Sequence, residues 1–129
     1  MIAVDSSALI AILLDEPTAE ACAEALAGDD DLIISAATLT ESFIVARARG
    51  IAEQLQQLIA GLGVNVVPVA ADAPWRIEEI HQRWGKGNHP ARLNIIDCFS
   101  YDVARQFDCP LLFVGNDFSQ TDIAAAIAL

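Results

Sequence analysis

Four short apolar runs, Ile2–Val4 and residues 32–34, 64–69 and 111–114, are separated by longer stretches with helical spacing. That alternation constrains the fold more than any other feature. Strands that alternate with helices need crossover connections, and crossovers produce a parallel sheet covered on its faces. The chain therefore reads as α/β: a three-layer α/β/α arrangement around a central, mainly parallel sheet of four to five strands. In such sheets the carboxyl ends of the strands border the ligand crevice. The first run reaches that edge at Asp5, followed by Ser6-Ser7 and an apolar helical stretch.

Between the strands the punctuation is regular. Ser6 or Ser7 is expected to cap the first helix, and Pro17 to separate it from a second helix over residues 18–27. Ser35 is placed to cap a helix over residues 36–49 that Gly50 stops, and residues 51–62 carry Leu55, Leu58, Ile59 and Leu62 on one face. A helix from Asp72 or Ala73 to Trp84 tolerates Pro74 in its first turn. Residues 85–90 read as a mobile polar loop from their Gly and Pro content. A helix over residues 93–107, capped by Asn94, precedes the last strand, and the tail 118–129 offers a short edge strand or helix.

At 129 residues and 54% hydrophobic content the chain is one domain, residues 1–129, with enough apolar surface for a real core. Its longest uncharged stretch, residues 55–71, contains two Gln, an Asn and a Pro and is no membrane span. No basic segment followed by an apolar one opens the chain, so no secretory signal is expected. Cys22, Cys98 and Cys109 are odd in number and lack metal-site spacing, which suits free thiols in a reducing cytoplasm. The net charge of −11 speaks against a phosphate-backbone binder. Residues 76–92 are the exception: Arg76, Arg83, Lys86 and Arg92 against Glu78 and Glu79 give +2, leaving −13 on the remainder. On charge alone, an ordinary solvated helix and loop explains them as well as a nucleic-acid contact.

Asp5 and Asp117 each follow an apolar strand, which places both carboxylates on one sheet edge. Either alone is explained by a helix cap or an Asx turn. Glu41, near a helix start, is explained alone by the favourable helix dipole. Asp97 is harder to account for. It falls just beyond an apolar arc of Ile95, Ile96, Phe99, Val103 and Phe107, beside the small Ser100 and Ala104, with no cation suitably spaced. A half-buried carboxylate needs a cation or strong hydrogen bonds. Four acids converging without a basic counterpart would raise one another's pKa unless a divalent cation neutralised them, and Mg²⁺ and Mn²⁺ prefer carboxylate oxygen.

The blocks Leu93-Asn94-Ile95-Ile96-Asp97-Cys98-Phe99-Ser100-Tyr101 and Leu112-Phe113-Val114-Gly115-Asn116-Asp117-Phe118, with Asp5 and Glu41, resemble PIN-domain ribonucleases of the VapC type over the whole chain. Asp102 departs from the pattern, where a small apolar residue is common, and is expected to face the surface. The resemblance implies a Mg²⁺- or Mn²⁺-dependent endoribonuclease that is the toxin of a toxin–antitoxin pair. Asp5 and Asp97 would be principal metal ligands, with Glu41 and Asp117 completing the pocket directly or through water. Ser6 and Asn116 would be auxiliary, and Arg76, Arg83, Lys86 and Arg92 would contact RNA. It further implies a homodimer and a small antitoxin; no membrane partner is expected, since no stretch reads as a membrane span.

Rival readings lack parts. A receiver domain wants a lysine at the end of a late strand, but the single lysine, Lys86, falls in a loop. An Asp-x-Asp phosphatase needs an acid where Ser7 stands. No Gly-x-Ser-x-Gly, Gly-x-Gly-x-x-Gly or P-loop occurs. A degenerate domain that only binds a partner is the remaining alternative.

Overall fold

The computed structural model describes residues 1–128. Its strands are β1 (Ile2–Val4), β2 (Leu32–Ser35), β3 (Asn65–Val67) and β4 (Leu111–Leu112), all parallel, in the order β3-β2-β1-β4. Helices α1 (Ser6–Leu13) and α2 (Ala19–Ala27) link β1 to β2, and α3 (Ala36–Ala48) and α4 (Ala52–Leu62) link β2 to β3. Helices α5 (Ala73–Trp84) and α6 (Ile95–Gln106) carry the chain back to β4. A short 3₁₀ turn, Phe118–Gln120, follows β4.

The pleat explains the three layers. Ala3, Ile33, Leu111 and Phe113 point to one face of the sheet, where they pack with Ala73 and Ile77 of α5 and Cys98, Tyr101 and Val103 of α6. Ile2, Val4, Leu32, Ile34 and Leu112 point to the other and meet Leu9, Cys22, Leu26, Ala46 and Leu55. Both faces of the two central strands are covered, which is why these strands are continuously apolar rather than alternating. All three cysteines are free thiols, Cys22 and Cys98 buried.

Several expected boundaries shift for physical reasons. Asp5, not Ser6 or Ser7, caps α1: its φ and ψ are extended and its carboxylate accepts the Ser7 N–H. β3 and β4 are shorter than their apolar runs, because Pro68 donates no ladder hydrogen bond and Gly115, at φ 109°, turns the chain away. The tail supplies both of its expected elements in miniature. Beside the 3₁₀ turn, Ala125 forms a parallel bridge to Leu111, with Leu111 N–H donating to the Ala124 carbonyl and Ala126 N–H to the Leu111 carbonyl. Leu129, at the end of that tail, lies outside the described residues.

The loop before α6 is tied down rather than mobile. Leu93 is not helical but bridges Gly85: Lys86 N–H donates to the Leu93 carbonyl, and Leu93 N–H to the Trp84 carbonyl. His89 sets its ring edge-on to Trp84, at 4.7 Å between centroids, and its Nδ1 accepts the Ala91 N–H. Gly85 is required there, since a Cβ would stand 2.4 Å from the His81 carbonyl oxygen.

The apolar arc expected on α6 is also corrected. Ile95 and Phe107 are 63% and 44% exposed, and the buried face runs through Cys98, Ser100, Tyr101, Asp102, Val103 and Ala104. Asp102 is therefore not surface-facing. It is only 8% exposed and accepts two hydrogen bonds from Arg76, Nε to Oδ1 at 2.9 Å and Nη2 to Oδ2 at 3.2 Å.

Candidate active site

The sheet order places β1 between β2, which follows it in the chain, and β4, which arrives last. The crevice of such a sheet lies where the connections diverge, between the carboxyl ends of β1 and β4. Asp5 stands at the end of β1 and is 3% exposed. Two hydroxyls and an amide hold it. Oδ2 accepts the Ser7 N–H at 3.1 Å and the Ser7 hydroxyl at 2.7 Å, while Oδ1 accepts the Ser100 hydroxyl at 2.6 Å. The Ser7 oxygen accepts the Val114 N–H at 2.9 Å, so one serine joins Asp5 to the end of β4.

Asp97 occupies the first turn of α6, in a reciprocal cap. Asn94 Oδ1 accepts the Asp97 N–H at 2.8 Å, and Asp97 Oδ2 accepts the Asn94 N–H at 3.0 Å. Burial raises its pKa to about 7 from the ordinary aspartate value; the Asn94 N–H opposes the rise, and the charges of Asp5, Asp117 and Glu41 add to it. Asp97 therefore lies within electrostatic reach of the other three acids, which come from three separate stretches of the chain. Glu41 reaches the site from α3 and accepts the Ser6 hydroxyl at 3.0 Å through Oε1. Ser6 thus serves Glu41. Asp117 is exposed and heads the 3₁₀ turn without a side-chain cap bond, and Asn116 beside it uses its carbonyl to accept from Ser119 and Gln120.

The donor set suits a hard divalent cation. It is all carboxylate oxygen, no Lys or Arg pairs with any of the four acids among the described residues, and burial with the neighbouring acids makes ionisation of Asp97 costly without added positive charge. Among the described residues no three His, Cys, Asp or Glu side chains stand closely enough to hold an ion jointly. Mg²⁺ is commonly bound through one or two carboxylates and retains several waters, so it would not need a full protein cage.

The four basic residues separate into two pairs. Arg76 is held by Asp72 at 2.8 Å and by Asp102, and Arg83 lies 3.7 Å from Asp122, which also takes the Tyr101 hydroxyl. Lys86 and Arg92 are exposed and form no ion pair among the described residues. Arg92 adopts a left-handed backbone, φ 56°, just ahead of Asn94 and the α6 N-terminus. Lys86 lines a surface hollow with Asn94, Ile95 and Ile96.

Sequence reasoning missed Ser7, Ser100 and Thr38, whose hydroxyl lies 2.9 Å from that of Ser100. The available signal for Ser100 and Thr38 was a polar residue on each of two helices at a position that turns out fully buried. Buried hydroxyls need partners.

Comparison with known proteins shows the family and the fold. The PIN domain family matches residues 2–124. Ribonuclease VapC30 of Mycobacterium tuberculosis is 40% identical over 125 residues, covering 94% of this chain and 95% of that protein. Ribonuclease VapC of Mycolicibacterium smegmatis is 41% identical over 126 residues, covering 95% and 97%. Among solved structures, Mycobacterium tuberculosis VapC20, described as a sarcin–ricin-loop-cleaving toxin, superposes with a TM-score of 0.77 at 21% identity, covering 96% and 97% of the two chains. A chain of a toxin–antitoxin complex from Klebsiella pneumoniae does so with 0.75 at 16%, over the full length of both. A parallel sheet in the order 3-2-1-4, an acid at the tip of its first strand and this extent of shared sequence lead to one assignment: the chain belongs to the PIN-domain family, among the VapC ribonucleases.

Proposed function

We propose that this protein is a Mg²⁺- or Mn²⁺-dependent endoribonuclease, the cytoplasmic toxin of a toxin–antitoxin pair. The observation that carries this is the gathering of Asp5, Glu41, Asp97 and Asp117 at the β1–β4 crevice, with Asp97 driven to about 7. Asp5 and Asp97 would hold the cation directly, each through the oxygen that is not fully engaged, and Glu41 and Asp117 would reach it through water. A cation bound there lowers the pKa of a coordinated water and neutralises charge on the attacked phosphodiester. The chain's own part is to fix Asp5 through Ser7 and Ser100, to hold Glu41 through Ser6, and to draw the phosphate backbone in with Lys86 and Arg92. Asn116, next to Asp117, remains an auxiliary candidate for orienting substrate.

The receiver and degenerate-domain readings find no support in this geometry, since Lys86 lies in the 85–93 loop and all four acids are in place. For partners, we propose a small antitoxin that blocks the acidic pocket, and a homodimer. An apolar surface available for assembly includes Val69, Trp75, at 75% exposed, and Ile95. No helix among the described residues is long and apolar enough to cross a membrane.

The deciding experiment is cleavage of RNA by purified protein with Mg²⁺, Mn²⁺ or a chelator. Cleavage that depends on cation and disappears in Asp5→Asn and Asp97→Asn is expected. Equal cleavage by parent and both variants would remove the assigned site. Mapping cleavage ends after expression in cells would identify the RNA. A short reading frame beside this one, encoding a protein that copurifies with it, is the expected sign of the antitoxin.

A further inference from the structure

The hydrogen atoms around Asp5 can be counted. Ser100 has one hydroxyl proton, which lies on the 2.6 Å bond to Asp5 Oδ1, so in the 2.9 Å contact with Thr38 it is Thr38 that donates. The Ser7 hydroxyl donates to Oδ2 and accepts from Val114, and the Ser7 amide also donates to Oδ2. A carboxylate oxygen offers two lone pairs. Both on Oδ2 are therefore taken, and one on Oδ1 is taken, leaving a single acceptor position. Ser100 and Thr38 are fully buried, so water cannot replace their bonds without loss. Asp97 is less restricted, because its Oδ2 accepts only the Asn94 N–H.

We propose that Ser7, with Ser100 and Thr38 behind it, is a positioning device that limits Asp5 to one bond to a cation, through Oδ1, and so selects a small octahedral cation over Ca²⁺. This rests on the metal reading above. Ca²⁺ takes six to eight oxygens and readily uses a carboxylate through both atoms, whereas Mg²⁺ accepts one oxygen from each of one or two carboxylates and keeps its waters. An Asp5 whose Oδ2 is closed off suits the second arrangement and not the first. Ser7 controls whether the carboxylate can chelate, and Ser100 with Thr38 controls where its one remaining lone pair points.

The test is calorimetric titration of the purified full chain with Mg²⁺, Mn²⁺ and Ca²⁺ separately, with no RNA present. The parent should bind Mg²⁺ and Mn²⁺ more tightly than Ca²⁺. Ser7→Ala should shift the Mg²⁺-to-Ca²⁺ affinity ratio toward Ca²⁺ by about tenfold, the size expected for releasing one charged hydrogen bond. Ser7→Thr keeps the hydroxyl and should keep the parent's ratio. Ser100→Ala leaves Oδ2 closed and should weaken both cations together. Ser7→Cys, a poorer donor that preserves the packing beside Val114, replaces Ser7→Ala if thermal unfolding shows that variant is not folded. A folded Ser7→Ala or Ser7→Cys with the parent's ratio would overturn the proposal and leave the metal reading intact. A parent that binds none of the cations would overturn both.

Discussion

Two aspartates on one helix, five positions apart, have opposite surroundings. Asp102 is almost fully buried and lies in a two-bond clasp with Arg76, its charge matched within the fold. Asp97 is less buried and has no cationic partner among the described residues; its surroundings raise its pKa to about 7. Burial alone does not single out a working carboxylate. The informative quantity is burial without compensation, because a fold that supplies no counter-charge leaves the group reliant on one from outside. The basic residues repeat the contrast. Arg76 is matched internally by Asp72 and Asp102, and Lys86 and Arg92 are left for something else.

The sharpest way to break this contrast is to remove the uncompensated charge. Asp97→Asn should lower RNA cleavage by about 10³-fold or more, the order expected when a ligand of a catalytic cation is lost. Asp102→Asn, assayed with the same RNA at a temperature where the variant is folded, should retain most activity. Next in size is Arg76→Ala. It leaves Asp102 buried and unpaired and should destabilise the protein by about 2–3 kcal/mol by denaturant unfolding, less than a fully buried pair because Arg76 is partly exposed.

The pH dependence separates the two aspartates again. The folded protein holds the Asp97 proton up to about 7, whereas an unfolded aspartate releases it near 3.8. Between those values the folded state binds more protons, so the Asp97 contribution to stability falls as pH rises. Without divalent cation, Asp97→Asn should therefore unfold at a higher temperature than the parent at pH 8 and at nearly the same temperature below pH 4, the gap opening between pH 4 and about 7. Adding Mg²⁺ at pH 8 should raise the parent's midpoint and not the variant's. A gap of equal size at every pH would mean that Asp97 does not titrate in this window.

The smallest expected effects concern the basic residues. Lys86→Ala and Arg92→Ala should each weaken RNA binding by a few-fold and reduce the salt dependence of log K by about 1. Arg83→Ala should change neither by a comparable amount, since its guanidinium sits near Asp122 and over the Trp84 ring at 4.6 Å.

The parallel sheet and the limits of α3, α4 and α5 were legible because apolar runs and turn residues report directly on local structure. The shared edge of Asp5 and Asp117 was legible because strand ends in a parallel sheet lie together, whereas Glu41 and Asp97 come from helices. The position of Asp102 was not. Ile95, Ile96, Phe99, Val103 and Phe107 looked like the buried arc of α6, yet Ile95 and Phe107 face outward, and the helix packs through Val103 together with Cys98 and Tyr101. Apolar spacing locates a stripe but does not say whether the core or an open surface covers it. Ser7 and Ser100 were illegible for a different reason. Short hydroxyl residues near helix starts usually cap the backbone, and only the fold brings Ser100, 95 positions away, against Asp5.

Gly85 has a consequence for the next generation of variants. Its missing side chain lets the chain pass against the His81 carbonyl, so the segment bearing Lys86 and Arg92 closes by pairing with Leu93. Placement and charge are therefore separable by one methyl group. Gly85→Ala alters no ionisable group and touches no acid of the crevice, but it should displace the platform on which both cations are mounted. Comparing it with Lys86→Ala and Arg92→Ala in RNA binding would tell how far grip depends on where those charges are held, as distinct from their being present at all.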